Sequence, residues 1–559
     1  MPSFLHQVSS SRWGRVATVL GVCACSFFWH GSAPAVSLME ARNFVAAREM
    51  VAGGSWLIPT MNGELRLAKP PLPTWATAAV QLVTGPTHDL GILRLPAAIM
   101  ATLLVVFFWG LARELTRNQP AETAAPGRTA WLGGLILASS LLVITTGREG
   151  QWDIFANSWM VGCLWLLVRG WQRPDGGWAS IVGGGVLAGL AILSKGPVPL
   201  YGLLLPFLVA YSVGQPDNRA RVREHWKSTL AAVVVALGIG LSWPAYIWWH
   251  VAPAARAVAH TEISSWAERH VQPIWYYWSF FAFTGLWALT ALAGLIPSYA
   301  RRRVSPYIPY MLALGWAVIG LILLSLVPEK KERYMLPLMP PLALLVAGVL
   351  RHWESGLLAR TDKLLVRSWG VLLASIALAL PILMAVTSLP GFGLWSTRWI
   401  MGVVLFLGVA GWIGGWGLCR PRVKLLTGAT FLLAGGILGL LMPAYPAWEA
   451  RRDTPGLVRI TDVRRLPMAQ GISQWRSLDT VHVKQVWNVG RTVPVWHPTI
   501  DSLKRLYRPV MLLAGSPIHR KLPVGWDKHV RLHGVDSFYL GRNASAGYWF
   551  VARIDPILK

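Results

Sequence analysis

Long apolar runs separated by short polar connections fill the chain from residue 16 to residue 443. The runs fall at about 16–36, 94–113, 129–146, 152–168, 178–194, 197–213, 228–248, 275–297, 306–327, 335–350, 368–389, 398–418 and 425–443. Each approaches the roughly 20 residues that a helix needs to cross a hydrocarbon core. The pattern predicts thirteen transmembrane helices. A further stretch, residues 71–87 (PPLPTWATAAVQLVTGP), is short and flanked by prolines. It reads as a partial or juxtamembrane helix rather than a span, because irregular backbone at membrane depth needs protein or water around it.

From residue 444 the pattern changes to polar sequence with runs of β character: TVHVKQVW at 480–487, RPVMLLAG at 508–515 and GYWFVARI at 547–554. A short helix is expected around Asp501–Arg505. The predicted organisation is a transmembrane domain over 1–443 with a large first external loop at 37–93, followed by a small soluble α/β domain at 444–559. Arg12 and Arg15 precede the first run, which reads as an uncleaved signal anchor.

Loop charge gives the orientation. With thirteen spans and a cytoplasmic N-terminus, the loops carrying Arg113, Arg117 and Arg128; Arg169 and Arg173; Arg219, Arg221 and Arg223; Arg301, Arg302 and Arg303; Arg360 and Lys363; and Arg422 and Lys424 all face the cytoplasm. That is the bias that sets the orientation of membrane proteins. The C-terminal domain then lies on the outer side of the membrane. Composition agrees with the membrane class: 54% hydrophobic, 14% charged and 32 tryptophans, against about 25% charged in soluble domains. The net charge of +27 sits in short loops between spans, which points to anionic lipid and excludes nucleic acid as the natural partner. The four cysteines lie in or beside apolar runs without metal-type spacing, and no disulfide is expected.

On the predicted outer side the loops break the basic bias. They mix acids, Glu40 and Asp153, with bases, Lys69, Lys195, Lys330, Lys331 and Arg333. Single charges at span ends commonly snorkel to the interface. A recurring mixture at one face suits a pocket for an anion such as phosphate, with a carboxylate nearby for proton transfer.

Several short motifs follow in order. They are Glu40-Ala41-Arg42, Arg48-Glu49-Met50, Trp56, Pro59, Asn62-Gly63, Lys69-Pro70-Pro71, Arg94-Leu95-Pro96, Asp153, Lys195-Gly196-Pro197, His270 with Pro273 and Tyr276-Tyr277, and Arg333-Tyr334 before Pro337 and Pro340. In this order the chain resembles the bacterial family of lipid-linked-sugar glycosyltransferases related to 4-amino-4-deoxyarabinose transferases and protein O-mannosyltransferases. The resemblance covers about residues 35–350 well and implies a glycosyltransferase C-type fold. It also implies a donor sugar carried on a polyprenyl phosphate such as undecaprenyl phosphate, and transfer with inversion to a lipid A-like lipid, glycan or protein at the periplasmic face. Membrane lipids are the other partners, and nucleic acid is not one.

By the same resemblance Glu40 and Asp153 are the candidate catalytic acids. Arg42, Lys69, Lys195, Lys330, Arg333 and Tyr334 are the candidate contacts to the donor phosphate. No cofactor is required; a divalent metal is left open, with His270 as a ligand. The chain departs from the pattern at two places. Met39 stands where the family carries the first acid of its Asp-Glu pair, and Ala68 stands where relatives often carry Glu. A catalytically altered lipid-binding relative and a membrane transporter are the alternative readings.

Overall fold

The computed structural model describes residues 11–175, 177–214, 216–254, 257, 271–356, 358–386, 395–418, 422–446, 458–539 and 548–557. The chain folds as two units. The first comprises 1–33, 67–76 and 94–444; the second comprises 34–66, 77–93 and 445–559.

The first unit is helical. Among the described residues, eight helices are long and apolar enough to cross a membrane: Leu90–Thr116, Trp178–Lys195, Trp226–His250, Ile274–Leu295, Glu332–Glu354, Arg360–Val386, Thr397–Gly415 and Val423–Ala444. The pair Arg128–Ala138 and Leu141–Gly147, bent by 60°, makes a ninth if counted as one span. The expected count of thirteen is therefore not confirmed among the described residues. The remaining runs are helical but shorter or more polar. The run at 16–36 is Arg12–Cys23 followed by a π-turn at Ala24–Phe28. Residues 197–213 and 306–327 give the shorter helices Leu200–Gly214 and Tyr310–Leu326. Helix Trp152–Trp171 carries Asp153 and Asn157 in its first two turns, which lowers its hydropathy.

Helix Glu332–Glu354 is the interior element, with 89% of its apolar stretch buried against 28% for Trp226–His250. A helix apolar on every side, as MPPLALLVAGVL is, has no polar face to give to solvent. Small residues let neighbouring helices approach. A Cβ at Gly185 would collide with the Ala232 carbonyl, and one at Gly189 would lie 2.6 Å from Ile239. Such small-residue seams are how helices pack where no water drives them together. Cys23 and Cys163 are buried free thiols and Cys25 is an exposed one; Cys419 lies outside the described residues.

The second unit contains helix Leu38–Val51, a two-stranded hairpin and a five-stranded sheet. Ser37 starts the helix through a capping box: its hydroxyl accepts from Glu40 N at 3.3 Å while Glu40 Oε2 accepts from Ser37 N at 2.9 Å. The hairpin pairs β1 (Thr60–Met61) with β2 (Glu64–Leu65) around Asn62-Gly63. Both turn residues have positive φ, 60° and 78°, as a tight two-residue hairpin requires. Glu49 fixes that turn by accepting from Asn62 N at 2.7 Å, Thr60 Oγ1 at 2.6 Å and Gly63 N at 3.2 Å.

In the five-stranded sheet the order is β3 (Val458–Arg459), β6 (Val530–Tyr539), β7 (Tyr548–Pro556), β5 (Val510–Ala514), β4 (Gln474–Ser477). The β3–β6 and β4–β5 pairs are parallel, and β7 runs antiparallel to both its neighbours. Short helix Ile500–Lys504 lies where it was expected. The run at 480–487 is a correction: it forms helix Val483–Val489, not a strand. His482 and Gln485 close a capping box at its start, and Gly490 ends it in the left-handed region at φ 80°. This helix packs on Leu38–Val51 through Ala41, Phe44 and Val45 against Val486 and Trp487.

Candidate active site

Three chain turns in the first unit place the charged cluster. Helix Trp152–Trp171 begins with Asp153 in its first turn, where the positive end of the helix dipole favours a carboxylate. Helix Trp178–Lys195 ends on Lys195, and Gly196 at φ 68° stops it, so a cation stands at the negative end. The 3₁₀ segment Glu332–Leu338, which opens helix Glu332–Glu354, supplies Arg333 and Tyr334.

These ends meet. Asp153 is ion-paired through one carboxylate oxygen to Lys195 and through the other to Arg333, the latter at 3.4 Å. The carboxylate is buried and Lys195 nearly so. Two cations on one acid leave a positive charge uncompensated within the triad. Tyr334 lies against both: its ring centroid is 4.6 Å from Lys195 Nζ and 5.6 Å from Arg333 Cζ. Lys331 Nζ lies 5.8 Å from the same ring and is ion-paired to Glu329, while the Tyr334 hydroxyl donates to Glu329 Oε1 at 3.3 Å. Lys69 Nζ sits 4.8 Å from the ring centroid of Trp152, the residue just before Asp153.

A cavity of about 560 Å³ opens beside this cluster. Arg333, Lys331, Lys330, Glu332, Glu149 and Gln151 form its charged and amide lining, with Thr145, Thr146, Gln272 and Tyr276 alongside. Its walls are held by backbone ties. Lys330 Nζ donates to the Val327 carbonyl at 2.7 Å and the Gln272 carbonyl at 3.0 Å. The Tyr277 hydroxyl accepts from Lys331 N at 3.2 Å. Arg148 donates to the carbonyls of Ser26, Trp29 and Cys25 at 2.6, 2.8 and 3.2 Å, which fixes the turn leading into Glu149.

Of the residues expected from sequence, Asp153, Lys195, Arg333 and Tyr334 converge. Lys330 lines the cavity with its ammonium engaged on two carbonyls. Glu40 and Arg42 belong to the second unit: Glu40 is buried in its capping box, and the Arg42 carbonyl accepts from Arg66 at 3.2 Å. Met39 is half-buried beside them. His270 lies outside the described residues, as do Glu262, Glu268 and Arg269. Among the described residues no three His, Cys, Asp or Glu side chains gather as a metal site would need.

The sequence pattern counts Lys331 among the outer-side bases but assigns Glu149 and Glu329 no role. Their signal is the density of charge in two very short connections, Arg148–Asp153 and Glu329–Arg333, between apolar runs.

A family model described as dolichyl-phosphate-mannose-protein mannosyltransferase matches residues 68–248. The chain is 30% identical over 395 residues to the undecaprenyl phosphate-alpha-4-amino-4-deoxy-L-arabinose arabinosyl transferase of Pectobacterium atrosepticum, covering 66% of this chain and 65% of that protein. It is 29% identical over 445 residues to the transferase of the same description from Pseudomonas paraeruginosa, covering 75% of this chain and 73% of that protein. The chain thus spans just under two thirds of the Pectobacterium relative. Among solved structures, ArnT from Cupriavidus metallidurans bound to undecaprenyl phosphate has the same fold, with a TM-score of 0.65 at 18% identity over 97% of this chain and 98% of that one.

Proposed function

The chain belongs to the bacterial family of lipid-linked-sugar glycosyltransferases, and from that premise we propose that it moves a sugar from a polyprenyl phosphate to an acceptor at the outer face of the inner membrane. The observation that carries the reading is the triad of Asp153, Lys195 and Arg333 around Tyr334. A buried acid that orients two cations and leaves one positive charge over is a receptor for an anion, and the phosphate of a lipid-linked donor is that anion.

The donor binds with its phosphate against Lys195 and Arg333 beside the Tyr334 ring, with Lys69 as a further contact. Asp153 acts as a positioning residue that holds both cations. A hydroxyl of the acceptor attacks the anomeric carbon from the side opposite the phosphate. The carbon–oxygen bond to phosphate breaks, the configuration inverts, and the polyprenyl phosphate leaves with its added charge met by the two cations. Preorganised donors at a leaving group typically contribute about 10²–10³ each to the rate. The cavity beside the cluster is the natural seat of the acceptor hydroxyl or the donor sugar. Undecaprenyl phosphate carrying 4-amino-4-deoxyarabinose, with a lipid A-like acceptor, is the first pair to try, since the relatives above are named for that donor.

The reading is tested by mass spectrometry of envelope lipids and glycans from a strain lacking the chain. A sugar increment should vanish, return with the wild-type chain, and stay absent with Lys195→Ala. An envelope unchanged by deletion under every growth condition contradicts the proposal.

A further inference from the structure

The second unit gathers basic side chains at the C-terminal end of helix Val483–Val489. Arg48 Nη1 donates to the Val486 carbonyl at 3.4 Å, while its Nη2 is buried and has no acceptor. His88 stands edge-on to Trp487, with ring centroids 5.0 Å apart. Gly490, at φ 80°, is where His88 and Arg464 meet: a Cβ there would lie 3.0 Å from His88 Nε2 and 3.2 Å from Arg464 Cδ. Arg491 follows in the chain, and its Nη1 donates to the carbonyls of Ser473 at 2.9 Å and Ile472 at 3.0 Å.

One cation at a helix C-terminus is ordinary. Three arginines and a histidine exceed what so short a helix calls for. Glu49 offsets part of the charge on Arg48, yet its oxygens accept from Thr60 Oγ1, Asn62 N and Gly63 N. Asp89 turns to Gly91 N at 2.7 Å. The crowding is felt by the groups themselves. Burial first, then Arg464 and Arg491 against the opposing Glu49, bring the Arg48 guanidinium down to about 10. Loss of water, then the charges of Arg464 and Arg48, push the His88 imidazole down to about 4. An anion with several acceptor oxygens relieves such a cluster. A phosphate monoester carries about −1.5 to −2 charges on three acceptor oxygens, and guanidinium forks match that geometry.

We propose that Arg48, His88, Arg464 and Arg491 form a phosphate-binding site in the second unit, for a phosphate monoester that is either free or carried on a lipid headgroup. Arg48 offers its Nη2, Arg464 its guanidinium and His88 a ring N–H, while Arg491 adds charge from its tether. The site uses no residue of the Asp153 cluster, so it binds whether or not the first unit transfers sugar.

The test is equilibrium dialysis of radiolabelled inorganic phosphate against the full-length chain in detergent, carrying Lys195→Ala and Arg333→Ala to remove anion binding in the first unit. This chain should keep a saturable phosphate site. Adding Arg464→Gln or His88→Ala should weaken binding by about tenfold or more, with circular dichroism showing both variants folded. Adding Arg520→Gln, which alters an exposed arginine outside the cluster, should leave binding unchanged. Stronger competition by dioleoyl phosphatidate in mixed micelles than by glycerol phosphate supports the site with a lipid headgroup as its source; equal competition supports it with the free monoester. Absence of phosphate binding by the starting chain overturns the proposal. Undiminished binding in the Arg464 and His88 variants overturns it too, as does an equal loss with Arg520→Gln, which marks diffuse charge.

Discussion

At the scale of single residues, donor binding turns on one buried carboxylate and two cations. Asp153→Asn leaves Lys195 and Arg333 without their shared anion, and breaking a buried pair from one side costs about 3–5 kcal/mol. Thermal unfolding in detergent should show the loss, and added undecaprenyl phosphate should restore part of it by supplying another anion. Arg333→Ala should lower transfer by about 10²–10³, measured as initial rate at saturating acceptor. Asp153, Lys195 and Arg333 were legible in the sequence because charge beside an apolar run is costly and therefore conspicuous. Glu149 was not singled out, because its place in the cavity lining depends on how the short connection Arg148–Asp153 folds. Glu40 shows the converse: its motif was readable, but its bond to Ser37 depends on where the helix starts.

At the scale of elements, the loop motifs divide into chemistry and construction. Asn62-Gly63 is construction: Asn62 Nδ2 donates to the Val493 carbonyl at 2.9 Å and its Oδ1 accepts from Val493 N at 2.7 Å. Asn62→Ala removes both bonds and places a residue without a favoured left-handed conformation at φ 60°, so it should lower the stability of the second unit by about 1–3 kcal/mol, read by urea unfolding followed through tryptophan fluorescence. Hydropathy located the apolar helices of this chain yet missed the 60° bend after Ala138, because a break in a helix changes hydrogen bonding and leaves composition untouched. The strand reading of 480–487 failed for a related reason. Alternating Val and His have β character, but the capping box of His482 with Gln485 and the stop at Gly490 outweigh propensity over so short a stretch.

At the scale of the whole molecule, the two units respond to different variables. In the second, burial opposes ionisation of Asp479, but the hydrogen bond from Lys521 Nζ at 2.9 Å and that from Gly515 N at 2.9 Å hold its carboxyl below the ordinary value of 3.8. A depressed acid stabilises the fold fully above its unfolded pKa and loses that contribution as pH falls through the folded value. The contribution of Asp479 should therefore fade as pH falls below its ordinary value of 3.8, and Asp479→Asn, followed by acid titration of stability, should flatten that part of the curve.

The donor reading depends on the first unit, and one measurement tests it most directly. Purified full-length chain in detergent is given undecaprenyl phosphate-α-4-amino-4-deoxy-L-arabinose and lipid A, and glycosylated lipid A is quantified by mass spectrometry for wild type, Lys195→Ala and Arg333→Ala. Product is expected from wild type, with at least about a 10²-fold loss in each variant. Equal product from all three would contradict the role given to the two cations.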